Sequence, residues 1–157
     1  MKIQISKFLP LVVLMSVFSF FACDKDDDSN DDNVTGDVSV VVRTNMQRGT
    51  WRITEFIDSG SNETNHYVGY VFTFNSNSTL EAFDGTETFA GTWSVIKDGS
   101  DDDDASDYDF VIAFSAANEL QELNDDWDIV SQSETQLVLI DISGGNGETD
   151  YLTFERI

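Results

Sequence analysis

From Thr50 to Glu155 the apolar residues of this chain recur at every second position, in short runs broken by turn residues, with no stretch patterned for a long helix. Trp51 and Ile53 alternate with Arg52 and Thr54. Val68, Tyr70, Phe72 and Phe74 share one face, as do Phe89, Gly91, Trp93 and Val95. Tyr108, Phe110, Ile112 and Phe114 give the clearest alternation, and Thr79–Phe83, Trp127 with Ile129, Leu137 with Leu139, and Tyr151–Glu155 supply four more runs. A period of two puts alternate side chains on opposite faces of a strand, so each run buries one face and wets the other. Ser59-Gly60-Ser61-Asn62, Asn75–Ser78, Asp84-Gly85 and Asn146-Gly147 are turn signals between them. The sum is eight short antiparallel strands, with one or two helical turns over Ala116–Leu123. Such a sheet closes into a barrel or folds into a sandwich. The aromatic-rich faces favour the barrel, whose interior at eight strands holds side chains or one small ligand.

The N-terminal segment follows a different rule. Lys2 and Lys7 precede an apolar run of 14 residues, Phe8 to Phe21, which is too short to span a bilayer as a helix of about 20 residues. The run stops at Ala22-Cys23, and Cys23 is the only cysteine, so an internal disulfide is excluded. Phe20-Phe21-Ala22-Cys23 resembles a bacterial lipobox, with a small residue before the Cys and Phe20 where Leu is usual. Residues 1–22 then read as a lipoprotein signal peptide and Cys23 as the lipidation site. Residues 23–36 are an acidic tether with Val34 as its one large apolar residue, expected to stay disordered. The carboxylates Asp24, Asp26, Asp27 and Asp28 resemble the surface-export signals of Bacteroidetes-type lipoproteins; a plain periplasmic spacer is the alternative. The expected location is the outer membrane, lipid-anchored and surface-displayed.

Charge narrows the partners. The formal net charge is −22, with eight Lys and Arg scattered along the chain. Repulsion from phosphate removes the term that drives nucleic-acid binding, and an anionic membrane is held off in the same way, so membrane attachment needs the covalent anchor.

Gly49-Thr50-Trp51, Gly91-Thr92-Trp93-Ser94, Leu123-Asn124-Asp125-Asp126-Trp127 and Leu152-Thr153-Phe154-Glu155-Arg156, in that order, resemble the small lipocalin-like domains of bacterial lipoproteins. The resemblance covers roughly residues 45–157, and the folded domain is placed at 37–157. It implies an all-β, eight-stranded antiparallel lipocalin-like barrel with one short helical segment. It also implies a short helix over Asp37–Gln47, where the sequence allows either form. Val38, Val40 and Val42 alternate as in a strand, whereas Val38, Val41, Val42, Asn45 and Met46 fit one helical face behind Asp37 as N-cap. Finally it implies that Trp51 plugs the closed end with Arg156 stacked across it; a solvated Arg156 is the alternative.

Catalytic patterns are lacking in the sequence. His66 is the sole histidine, with no Cys or second His to share a metal, and reads as a solvated loop residue. There is no G-x-S-x-G elbow or phosphate loop. Asp24, Asp26 and Asp28 copy the first EF-hand ligand positions, but Ser29 replaces the Gly and Thr35 the Glu. Asp101–Asp104 reads as a solvated charge run rather than a cation loop. The expectation is a non-enzymatic protein with no metal and no cofactor. Two roles remain: binding a small apolar or amphipathic ligand against Tyr70, Phe72, Trp93, Tyr108, Phe110 and Trp127, or contacting a surface protein with a barrel filled by those same side chains.

Overall fold

The computed structural model describes residues 37–97, 108–142 and 149–157. The signal segment, the tether, Asp101–Asp104 and the Asn146-Gly147 turn lie outside the described residues. The chain runs α1 (Val38–Met46), β1 (Trp51–Asp58), β2 (Ser61–Asn62), a first 3-10 turn (Thr64–Tyr67), β3 (Val71–Phe74), β4 (Thr79–Phe83), β5 (Thr88–Lys97), β6 (Tyr108–Phe114), a second 3-10 turn (Glu119–Leu123), β7 (Asp125–Gln132), β8 (Gln136–Asp141) and β9 (Asp150–Arg156). Strands β3 to β9 pair in sequence order, and β1 pairs with both β3 and β9. The result is a closed, antiparallel, eight-stranded barrel, with the two-residue β2 pairing with the end of β1 on the edge it shares with β3.

The inward faces are those the alternation marks. Phe72, Phe74, Trp93, Phe110, Ile112, Trp127, Leu137, Leu139, Leu152 and Phe154 are all buried. Their rings meet edge to face: Phe74 lies 5.4 Å from Trp93, 5.7 Å from Phe110 and 5.5 Å from Phe154. That arrangement sets the positive edge of one ring against the negative face of the next. Gly91 belongs to this packing, since a Cβ there would stand 2.7 Å from Phe114 Cδ1 and 2.8 Å from the Ala113 carbonyl oxygen.

Both ends are covered. At one, Asp37 caps α1 by accepting from the Ser39 amide (3.0 Å), and the helix inserts Val42 and Met46 into the barrel mouth. The segment Asp37–Gln47 is thus helical, because Val42, Asn45 and Met46 share the face that the barrel buries. Trp51 is fully buried there and donates its indole N–H to the Met46 carbonyl at 2.9 Å. Arg156 pairs with Trp51 in register and lays its Cδ 3.6 Å from the place of a Gly49 Cβ. A side chain at position 49 would touch that stem at ordinary contact distance but would suffer the φ of +86°. At the other end the two 3-10 turns bury Tyr67, Leu120 and Leu123. One strand expectation fails here. Val68 is not on the β3 face but 77% exposed, because the Thr64–Tyr67 turn uses Tyr67 as the plug and β3 starts only at Val71.

Candidate functional site

The barrel wall is uneven. Strand β1 has six register pairs with β9 but a single one, Trp51↔Phe72, with β3. Beyond that pair β1 and β3 part, and β2 with the first 3-10 turn fills only the far end of the gap. The register of β1 also shifts between Ile53 and Glu55. Such a bulge increases the local twist and bends the strand. The gap is a cleft of about 440 Å³. Ile53 and Tyr70 form a buried floor, Val71 and Thr54 flank it, and exposed Val68 and Ile157 stand at its rim. Arg52 provides the nearest cation, 3.1 Å from the Glu155 carboxylate.

Beside the cleft, the two 3-10 turns bring together polar groups from distant parts of the sequence. Tyr67 lines the cleft, and its hydroxyl donates to the Glu119 carbonyl at 2.9 Å, with Glu122 Oε2 at 3.4 Å. Tyr70 donates to Glu119 Oε1 at 2.6 Å. Burial is the main reason both phenols hold their protons well above the usual tyrosine range, and the neighbouring glutamates add to it. The same hydrogen bond from Tyr70 holds the Glu119 carboxyl below its ordinary range. His66 Nδ1 lies 3.5 Å from Glu63 Oε2 and 3.6 Å from Glu122 Oε2. A hollow of about 390 Å³ opens over His66, Glu119 and Glu122.

Of the six residues expected to line a ligand cavity, only Tyr70 reaches the cleft. Phe72, Trp93, Phe110 and Trp127 are core residues, buried in the barrel. The indole N–H groups are satisfied by protein: Trp93 donates to the Asn75 carbonyl at 3.0 Å and Trp127 to the Leu123 carbonyl at 3.1 Å. Tyr108 is half-buried against the same core. These aromatics pack in the barrel core, and the cleft and the hollow described above lie on its flank and rim. Cys23 lies outside the described residues.

Sequence reasoning passed over Glu63 and Glu122. The spacing Glu63-x-x-His66 places both side chains on one side of a single turn, and that was the available local signal. Nothing local could add Glu122, which closure of the barrel brings to the same end.

No family model matches the sequence, and neither does any curated protein. Among solved structures the chain is similar to a DUF4847 family protein from Bacteroides vulgatus, at 18% identity and a TM-score of 0.44, over 71% of this chain and 94% of that one.

Proposed function

We propose that this chain is a lipid-anchored, surface-displayed, non-enzymatic lipocalin-like protein that holds a small apolar or amphipathic ligand in the cleft between β1 and β3, outside a filled barrel. The cleft carries the reading. Its volume of about 440 Å³ falls in the range of small-molecule sites, roughly 300–1,000 Å³. Its walls are Ile53, Val68, Tyr70, Val71 and Ile157, with Arg52 at one side to meet a polar head. The anchor rests on the lipobox-like Phe20-Phe21-Ala22-Cys23, display on the acidic tether that follows, and the lipocalin likeness on Gly49-x-Trp51 opening the first strand and Arg156 closing the last.

Titrating the full chain with a fluorescent alkyl carboxylate tests the ligand role. Saturable binding is expected, weakened at least about tenfold, or 1.4 kcal/mol, by Val68→Asp, which sets a charge at the apolar rim. Val130→Asp places the same charge on an exposed valine that does not line the cleft and should change nothing. No saturable binding, or equal loss in both variants, would refute the cleft.

A second reading has its own observation. Ile57 and Ile140 both pair with Tyr151 in register, so an apolar row crosses β1, β9 and β8 on the outer wall. Tyr151 is 41% exposed. A row of this kind suits contact with a surface protein partner.

A further inference from the structure

We infer that Glu63, His66 and Glu122 form a binding site for a first-row divalent metal ion such as zinc. One ligand atom from each residue lies within 4.8 Å of the others. The separations from the imidazole are the informative quantity. Ligands held at 2.0–2.2 Å around a tetrahedral ion stand about 3.4 Å apart. His66 Nδ1 stands 3.5 Å from Glu63 Oε2 and 3.6 Å from Glu122 Oε2. An N–H···O hydrogen bond would draw such atoms to about 2.7–3.2 Å. The two imidazole–carboxylate separations thus match two edges of a coordination tetrahedron, with the carboxylate oxygens within 4.8 Å of each other.

The scaffold fixes the backbone that carries them. The Glu63 amide donates to the Phe56 carbonyl of β1, and the His66 amide to the Glu63 carbonyl, each at 2.9 Å. Glu122 rides on a turn pinned by fully buried Leu120 and Leu123. The Tyr67 hydroxyl fastens the two turns together through the Glu119 carbonyl. Two carboxylates and a neutral imidazole balance a doubly positive ion. The His66 side chain is half exposed (50%), so water can complete the coordination from the hollow above it. An imidazole donor selects zinc and its neighbours over calcium, which takes oxygen ligands alone. The site is independent of the cleft reading and stands if that reading fails.

His66 is the sole histidine, so its two ring C–H signals in the carbon-13-labelled full chain report this site and none of the other acidic groups. Zinc chloride should move both signals along a curve that saturates at one-to-one stoichiometry. Calcium chloride at the same concentration should leave them in place. Loss even of a group that only supports a ligand weakens metal sites about 10–100-fold, so Glu122→Gln and Glu63→Gln should each cost at least tenfold in zinc affinity. Backbone amide spectra of the variants establish that they remain folded. The inference is overturned if zinc binds without moving the His66 signals, since the ion then sits on other carboxylates. It is equally overturned if both variants respond as the parent does, or if the signals answer to pH alone, which would make the cluster an ion pair of a protonated imidazole.

Discussion

Removing the Trp51 indole tests the closed end of the barrel. The side chain is fully buried, so Trp51→Ala loses its whole apolar burial and leaves a hole between α1 and the strand ends. Large-to-small changes of this kind cost about 3–5 kcal/mol. The substitution also removes the donor to the Met46 carbonyl, which is the link from β1 back to the last residue of α1. A domain of this size has roughly 5–15 kcal/mol of stability. With a urea slope of about 2 kcal/mol per molar, the unfolding midpoint should fall by about 2 M. Far-UV circular dichroism is the assay, because the variant lacks one of the three tryptophans that fluorescence would follow. Trp51→Phe keeps most of the burial without the donor and should fall between the two. Arg156→Ala should cost less than Trp51→Ala, and the double variant should be non-additive, because the residues are register partners. A midpoint for Trp51→Ala within about 0.5 M of the parent would show that the plug carries little, against the burial argument.

Three further outcomes are expected. Gly91→Ala should lower the melting midpoint by the equivalent of about 1–3 kcal/mol, because the new methyl meets the Ala113 carbonyl oxygen at 2.8 Å, a backbone atom that cannot swing aside; an unchanged midpoint contradicts the packing described. Burial, helped by Asp126 and Asp141, pushes the Asp125 carboxyl up to about 6 from 3.8. The folded state then holds the proton to higher pH than the unfolded chain, so this group's contribution falls as pH rises from 3.8 to about 6 and stays low above. Asp125→Asn should therefore raise the urea midpoint at pH 7 and hardly alter it near pH 4, with solvent screening holding the gain to about 1 kcal/mol; equal effects at both pH values would refute the assignment. Cys23→Ala should leave the chain out of the membrane fraction, since stable anchoring needs more than one acyl chain and the cysteine would carry them; retention of the variant would remove the lipoprotein reading.

The strands were legible because a barrel with a packed interior repeats one rule, and Phe110, Ile112 and Phe114 obey it without interruption. The β1 bulge left a trace too: buried Trp51, Ile53 and Phe56 break the period at one step, where the register shifts. Val68 misled because it sits two residues before Tyr70 and continues the alternation, whereas the chain there makes a 3-10 turn. A valine in phase with a strand carries no sign that the turn before it has yet to finish. The polar cluster was illegible for a different reason. Glu63 and His66 are neighbours along the chain, but Glu122 joins them only when two turns from distant segments cover one barrel end. The cleft was hidden as well, since it follows from how few pairs join β1 to β3, which is a property of backbone geometry rather than of side-chain type.

The imbalance in the pairing of β1 also fixes the order in which this protein can be completed. Its main partner is β9, the last strand, and the hold extends to the Ile157 amide, which donates to the Thr50 carbonyl at 2.9 Å. A chain emerging N-terminus first must keep β1 nearly unzipped until β9 is available. Closure across so long a loop is slow, and an unpaired strand meanwhile invites pairing with another molecule. The segment Asp150–Arg156 therefore works as a clasp: a chain cut short before it would bare the edges of both β1 and β8, leaving an open sheet rather than a smaller barrel.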